Sequence, residues 1–556
     1  MKQKVQNIWE AAIVFITIGV FTISNSLQMI LEWRKNKPEQ VFHAIAHSYP
    51  DYFIYLSHIA QGAAGKVFFT NHQFTNEILD PTSIYWFYSL LGFVANIFGI
   101  SPVWIYNLSL LFLSAMVMLL WYLFCRLLYP TNRLSRLFTF LVIVSASPFI
   151  KIKDLILSGV VTFPEFLWFS PTPAFNRLGG VPHQILQTIL LLVVLFSFSK
   201  IASVKQYTLK TIGFLFLLMA LSVIATYAHP LQMALLLVSV GTFEMLTMWK
   251  EKNIEIKRFI PVLVCGLVGL AVSILINHEF TTPIYTIAKQ WEMLQYSPTG
   301  FFFWVSAIGP SIIFVPFGIW SFIKKSDPLN TIYLIYGVLC FALYNSPVPK
   351  IMEIVPQRFL HPASYALVPI LAVSGFFTIL HALSKMGKRQ KIFRFFYPSF
   401  FILTIIMYLT YTVPANIAQI TLRINDPNLA FAALLNHTPI GVIKGLETIK
   451  TMKPKTKLNV ILPEESLGID LLIPLHTGYK SFLGQSTHTL YPDVKNTRRR
   501  QFFSKTMMEK EALQFLTNHS IGVIITVPNS SLSKHYPFLT KTFSNNSLII
   551  YTVSNQ

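Results

Sequence analysis

The chain has 556 residues, of which 53% are hydrophobic and 15% aromatic while only 12% are charged. That balance excludes an ordinary soluble domain and predicts a polytopic membrane protein. Its 44 Lys and Arg against 23 Asp and Glu give a formal charge of +21, but the basic residues fall in short clusters between apolar runs, where they orient spans and meet anionic lipid of the bilayer rather than nucleic acid. The cysteines, Cys125, Cys265 and Cys340, each lie inside an apolar run, which points away from a disulfide framework or a CxxC metal site.

In chain order, Lys2 and Lys4 precede an apolar run over residues 11–31. The run is too long for a signal-peptide core and lacks a small-residue cleavage site, so it predicts an uncleaved first transmembrane helix with its N-terminus in the cytoplasm. Further apolar segments centre near residues 115, 143, 192, 218, 239, 268, 311, 337, 373 and 404. With the first, that makes about eleven spans. The basic clusters at 126–136, 200–210, 250–258, 324–325 and 385–394 then occupy every second loop, all cytoplasmic. Segment 84–100 decides the parity. As an interfacial or re-entrant helix it keeps the clusters inside, and as one more span it puts them outside.

Under the first topology the outer face gathers loops 34–102, 151–184, 278–300 and 346–361, joined by the turn at His229-Pro230. These hold most of the ionisable residues outside the basic loops and the tail, among them Glu279, Glu292 and His361. A polar face built from several loops over a helical bundle is how a membrane protein assembles a site at the interface. After residue 415 the long apolar runs stop. Residues 416–556 carry short β-like stretches at 458–463, 522–527 and 547–553, an amphipathic helix over 505–518 and a basic turn, NTRRR, at 496–500. They read as a small α/β domain, external because an odd span count puts it on the same side as loop 34–102. The expected fold class is thus a mostly α transmembrane bundle over 1–415 with an extracytoplasmic α/β domain over 416–556.

Within YPDYFIYLSHIAQGAAGK, at 49–66, Asp51 is either the N-cap of a helix or a catalytic carboxylate. A helix there places Tyr55 at i+4 and His58 at i+7 on the same side as Asp51. Asp80, in ILDPTS, either caps the next segment or supplies a second carboxylate. The cationic counterpart is a phosphate clamp. Arg358, in VPQRFLHP, stands just before an apolar helix at headgroup depth, where a guanidinium either grips phosphate or anchors the interface. Arg177, in FNRLGGVPHQ, sits on a glycine-rich turn that would deliver it and His183 to the mouth of the bundle, and Lys350 is a further external cation. No HExxH or equivalent spacing appears, so no metal ligand is assigned. No cofactor is required, although the chemistry leaves room for a divalent cation.

These features together resemble the GT-C superfamily of membrane glycosyltransferases, which use polyprenyl-phosphate-linked sugars. The resemblance lies in the N-terminal anchor helix, the long acidic first loop, the RF-x-x-P-type junction and the external C-terminal domain. The stretches PDYFIYLSHIAQGAAGK and FTNEILDPTSIYWFYSLLG look like the bacterial relatives of dolichyl-phosphate-mannose protein mannosyltransferases and aminoarabinose transferases. The resemblance implies that Asp51 is the first-loop acid that takes the acceptor's proton, that Arg358 holds the donor phosphate, and that the anomeric centre inverts. One departure is that many members show two adjacent acids where Pro50-Asp51-Tyr52 offers one. The implied partners are a polyprenyl-phosphate-linked sugar donor and an acceptor the sequence does not identify. Two other classes remain: a lipid-linked saccharide flippase, which would need ionisable residues within the spans, where Glu244 is the clearest, and a non-catalytic envelope assembly protein.

Overall fold

The computed structural model describes residues 2–45, 49–159, 161–162, 180–202, 208–295, 297, 299–325, 327–389, 391–425, 432–452 and 459–553. The principal helices are α1 (Lys2–Lys35), α2 (Tyr49–Ala63), α3 (Trp86–Phe98), α4 (Pro102–Leu128), α5 (Arg133–Ser145), α6 (Pro182–Ile201), α7 (Leu209–Ala228), α8 (Pro230–Glu251), α9 (Ile260–Phe280), α10 (Pro283–Met293), α11 (Val315–Lys325), α12 (Pro328–Tyr344), α13 (Leu367–Arg389), α14 (Lys391–Ile424), α15 (Pro492–Phe503) and α16 (Glu509–Asn518). Among the described residues, nine helical stretches are long and apolar enough to cross a membrane, so the protein is a multi-pass membrane protein.

The segments expected to span near 143 and 337 form shorter helices, α5 of 13 residues and α12 of 17. A helix of that shorter length rises about 20 Å, well under the ~30 Å hydrocarbon core. Local chemistry sets the ends. The Asn132 side chain accepts from Ser135 N to open α5, and Asp327 does the same for Asn330 N at α12, each satisfying an orphan donor of a first turn. Segment 84–100 forms α3, also 13 residues, closed by Gly99 in the left-handed conformation at φ 65°. It is too short for a full crossing.

The chain divides into two compact units. The first comprises Met1–Asn25, Leu110–Asn277 and Glu292–Ile424 and is helical. Apolar side chains such as Phe216, Leu267 and Ile274 face outward, as a lipid-bathed surface demands. Close approach of α11 and α13 depends on glycine: a Cβ at Gly318 would lie 1.9 Å from Leu371 O, and one at Gly375 2.0 Å from Phe314 O. Small residues of this kind let spanning helices approach backbone to backbone. Arg136, read from sequence as part of a cytoplasmic basic cluster, is buried and paired. Its Nε and Nη2 donate to Glu10 at 2.5 and 2.7 Å, and the Tyr122 hydroxyl adds a bond of 2.8 Å to the same carboxylate. A buried guanidinium persists only with such a partner.

The second unit comprises Ser26–Ser109, His278–Trp291 and Asn425–Gln556. A two-stranded antiparallel ladder joins β1 (Gln40–Phe42) to β2 (His437–Pro439), with Val41 opposite Thr438. A mixed five-stranded sheet follows, in the order β4-β3-β5-β7-β6, from β3 (Val460–Pro463), β4 (Lys480–Ser481), β5 (Ile521–Thr526), β6 (Leu539–Ser544) and β7 (Ile549–Val553). β3 pairs in parallel with β4 and β5, and β7 runs antiparallel to β5 and β6. Every residue of β3 and β5 is buried, which is why VILP and IGVIIT read as unbroken apolar runs. The helix expected over 505–518 begins only at Glu509, after Lys505 at φ 62°. The basic stretch 496–500 is not a turn but part of α15, opened by Pro492. Its charges are engaged: Arg499 donates to Asp470 at 2.9 and 3.1 Å, Arg500 to Glu465 and Arg498 to Glu511.

Loop 70–77 is stitched into this sheet. Ser481 N donates to Gln73 O at 2.8 Å, Gln73 Nε2 to Gly478 O at 2.8 Å, and Thr489 Oγ1 to Phe74 O at 2.8 Å. The buried Lys495 ammonium reaches Thr75 and Glu77 at 3.0 and 2.8 Å. From the other side α2 holds the same loop, because the Gln61 amide pairs with both backbone groups of Asn71. Helices α2 and α3 meet through reciprocal glycines. A Cβ at Gly62 would fall 2.0 Å from Ser89 O, and one at Gly92 2.0 Å from Ile59 O. Gly92→Ala is therefore expected to destabilise the protein by about 1–3 kcal/mol, the usual cost of overpacking. Gly213→Ala, at an open helical position, is expected to leave stability unchanged or raise it by about 0.5–1 kcal/mol. Thermal unfolding of both variants checks the contrast, and equal midpoints would refute the packing argument.

Candidate functional site

The residues singled out above that the structure describes fall in both units: Asp51, Tyr55, His58 and Asp80 in the second, His183, Lys350 and Arg358 in the first. In the second unit, α2 begins at Tyr49, so Asp51 lies inside the first helical turn and is not the N-cap. Its carboxylate is half-buried, and among the described residues nothing donates a hydrogen bond to it or pairs with its charge. Burial pushes it up to about 6.

One turn on, the Tyr55 ring stacks on Tyr88, with centroids 4.4 Å apart and planes at 15°, and lies near parallel to Tyr106 at 6.3 Å. His58 is buried and stacked on Tyr85 at 4.0 Å, and its Nδ1 shares a hydrogen bond of 2.7 Å with Thr70 Oγ1. Burial, then the neighbouring His72 and His488, hold His58 well below the ordinary histidine range. It is a neutral imidazole bound into the wall of the site. The helical spacing thus brings Asp51, Tyr55 and His58 together, and α3 and the start of α4 supply aromatic neighbours.

Two other acids of this unit differ from Asp51. Asp80 is exposed, caps nothing, since α3 opens at Trp86 after Tyr85, and makes no hydrogen bond or ion pair among the described residues. Glu279 is fully engaged. Thr82 Oγ1 donates to it at 2.8 Å, Ser83 N at 2.9 Å, and the Ser83 hydroxyl bonds its other oxygen. Tyr285 OH bonds Thr82 Oγ1 at 2.8 Å, and Tyr85 OH meets His488 Nε2 at 3.2 Å. Tyr285, Tyr85 and His488 were not singled out from sequence. Aromatic and histidine residues so far apart in the chain give no periodic signal.

In the first unit, Arg358 sits on a short 3-10 turn, Pro356–Phe359. Its Nε donates to Glu292 Oε2 at 3.2 Å, and its Nη2 bonds Glu292 Oε1. Its carbonyl is held at 2.9 Å by Nε2 of Gln232, a fully buried residue of α8 whose Oε1 accepts from Tyr336 OH at 2.5 Å. His229 and His361 meet edge to face with ring centroids 5.4 Å apart. Burial, followed by the charges of His361, Arg358 and His183, holds His229 well below its usual range. Arg358 and His183 are thus gathered with two histidines that sequence reading left without a role. Their signal is present nonetheless: each opens a helix as the dipeptide His-Pro, at 229–230 and 361–362. Lys350 is exposed on the short helix Val348–Ile351 and makes no ion pair among the described residues. Arg177 lies outside the described residues. Among those described, no group of three or more His, Cys, Asp or Glu converges as metal ligands do.

Asp51 also makes a stability prediction. A carboxyl raised from 3.8 to about 6 in the folded state favours folding below the unfolded value and loses that contribution as pH rises through about 6. Asp51→Asn removes the burden of the buried charge. At pH 7.5 the variant is expected to unfold at a higher temperature than wild type, by about 1–2 kcal/mol after allowing for its partial exposure. The gap should close toward pH 4. A variant less stable than wild type at pH 7.5 would contradict the uncompensated burial.

No protein-family model matches the chain, and no curated protein matches it in sequence. Solved structures do match in fold. The Archaeoglobus fulgidus oligosaccharyltransferase in the apo form aligns with a TM-score of 0.51 at 10% identity, covering 98% of this chain and 74% of that one. The archaeal oligosaccharyltransferase AglB from Archaeoglobus fulgidus, in complex with an inhibitory peptide and a dolichol-phosphate, gives 0.50 at 10% identity over 99% and 74%. ArnT from Cupriavidus metallidurans bound to undecaprenyl phosphate gives 0.48 at 13% identity over 98% and 97%. The chain therefore has the fold of the archaeal oligosaccharyltransferase.

Proposed function

We propose that the protein is a membrane glycosyltransferase that moves a sugar from a polyprenyl-phosphate donor to a hydroxyl acceptor at the extracytoplasmic face, with its N-terminus in the cytoplasm. The observation that carries this reading is Asp51, a half-buried carboxylate with no partner among the described residues and a proton affinity raised to about 6. A base of that strength is largely ionised at pH 7 yet basic enough to accept a proton from an attacking hydroxyl. The shared fold supports the reading, since the matching AglB structure holds a dolichol-phosphate.

In this reading Asp51 takes the acceptor's proton as its oxygen attacks the anomeric carbon. The bond to the donor phosphate breaks, and the phosphate leaves with an added negative charge. Arg358 binds that phosphate, since a guanidinium meets two phosphate oxygens at once and stabilises the charge that develops. Glu292, which now accepts from two nitrogens of Arg358, is the internal anion the phosphate displaces. Tyr55 and His58 shape the acceptor side, and no cofactor is required, although the chemistry leaves room for a divalent cation.

The test is transfer by the purified full chain supplied with polyprenyl-phosphate sugars. Asp51→Asn is expected to lower the rate about 10²–10⁴-fold, the range for losing a general base. Arg358→Ala is expected to lower it about 10²–10³-fold. The wild-type rate should fall as pH drops below about 6, where Asp51 becomes protonated. Undiminished transfer by both variants would refute the assignment, and uptake of labelled lipid-linked sugar into proteoliposomes without covalent product would favour a transporter.

A further inference from the structure

We propose that the acceptor brought to Asp51 is a neutral saccharide, bound with the C–H face of a sugar ring against Tyr55 and Tyr85. The inference rests on the role of Asp51 proposed above and names the class of hydroxyl it activates.

The aromatic rings beside Asp51 form one connected group. Tyr55 stacks on Tyr88 at 4.4 Å, lies near parallel to Tyr106 at 6.3 Å and is tilted against Tyr85 at 6.2 Å. Tyr85 in turn covers His58 at 4.0 Å. The charge of Asp51 acts on the phenols of both Tyr85 and Tyr106, so the acid and the rings share one site. Tyr88 and Tyr106 are buried and form its backing, whereas Asp51, Tyr55 and Tyr85 are half-buried. The tier that reaches solvent is therefore a carboxylate and two phenols.

A phenol combines an apolar ring face with a polar tip. A sugar has the matching form, C–H groups on the face of its ring and hydroxyls around the edge. The polar tips at this site suit hydroxyls. Tyr85 OH meets His488 Nε2 at 3.2 Å, and burial, then His72, holds His488 down at about 3. His488 is thus neutral, with one donor and one acceptor nitrogen. The buried Tyr106 hydroxyl has no hydrogen-bond partner among the described residues. A buried hydroxyl left unmet is unusual in a folded protein and calls for a partner. The sugar hydroxyl next to the one that Asp51 activates supplies it. A serine or threonine of a peptide brings a single hydroxyl and leaves Tyr106 unmet.

Charge selects a neutral acceptor. Among the described residues no lysine or arginine bonds to Asp51, Tyr85 or Tyr106. Lys480, which acts on His72, is engaged by Glu77 O at 2.6 Å. An anionic acceptor would therefore meet the Asp51 carboxylate in a partly desolvated site with no cation to offset the repulsion.

The test uses the full chain in phosphatidylcholine nanodiscs at pH 7.5. Saturation-transfer NMR is read from methyl glycosides of glucose, galactose and mannose, from methyl glucuronide, and from a peptide of serine and threonine blocked at both ends. At least one neutral glycoside is expected to bind, and the glucuronide and the peptide are not. Tyr85→Ala is expected to weaken that binding by about 3–10-fold, the worth of one aromatic contact. Tyr106→Phe keeps the ring packing, so it is expected to unfold no earlier than wild type and yet to bind about 3–10-fold more weakly. Asp51→Asn retains an accepting oxygen. It is expected to hold the neutral glycoside and to raise the affinity for the glucuronide at least about tenfold. The inference is overturned if no neutral glycoside binds wild type, or if binding is unchanged in both tyrosine variants. Transfer to the peptide that Asp51→Asn abolishes would overturn the saccharide and leave Asp51 as the base. Undiminished transfer to a bound glycoside by Asp51→Asn would overturn the base and leave the saccharide site.

Discussion

A carboxylate held out of water with no counter-ion is costly, and the second unit is built so that Asp51 can be one. The first turn of α2 has to stay in place while part of its environment favours the neutral acid. Reciprocal glycines fix the crossing of α2 with α3. Next to Asp51, Tyr52 is fully enclosed and donates to His43 O at 2.6 Å. Asn107 on α4 bonds the Tyr52 hydroxyl and Ala44 O, both at 3.4 Å. These bonds connect the start of α2 to the chain on either side of residues 46–48 and to α4. Rigid surroundings prevent the acid from relaxing into water, which is what keeps its proton affinity high.

The first unit handles charge in the opposite way, by pairing. Glu10 neutralises Arg136 with two hydrogen bonds, and Glu292 neutralises Arg358. The two pairs differ in burial. Arg136 is enclosed with its partner, and removing either would strand a charge away from water. Arg358 keeps 36% of its side-chain surface accessible, so exchange of one anion for another is cheaper there. Gln232 makes such exchange tolerable to the backbone, because it holds the Arg358 carbonyl, not the guanidinium.

Much of this was legible in the sequence. The long apolar runs identified the spanning helices, and the β-like stretches at 458–463 and 522–527 marked β3 and β5, because both signals arise from burial itself. The spacing of Asp51, Tyr55 and His58 placed them on one helix. What stayed hidden depends on partners remote in the chain. Residues 496–500 look like a solvated basic turn until Asp470, Glu465 and Glu511 are brought beside them. Arg136 looks like a membrane-orienting charge until Glu10 is seen to bury it. The reach of α5 was overestimated because apolar composition continues past Ser145, whereas the helix does not. His229 and His361 were noted only as a turn and a loop ionisable, although His-Pro joins a capping side chain to a residue suited to the first helical position.

Three carboxylates of unit two show how environment, not residue type, assigns a role. Asp80 is exposed, where water solvates its charge. Glu279 accepts from a backbone amide and two hydroxyls, so its lone pairs are already committed to holding residues 82–83 against 278–291. Asp51 has neither water enough to be an ordinary surface acid nor donors enough to be a structural one. It keeps accepting capacity while burial makes it more basic, and those two conditions together suit proton abstraction from a neutral hydroxyl.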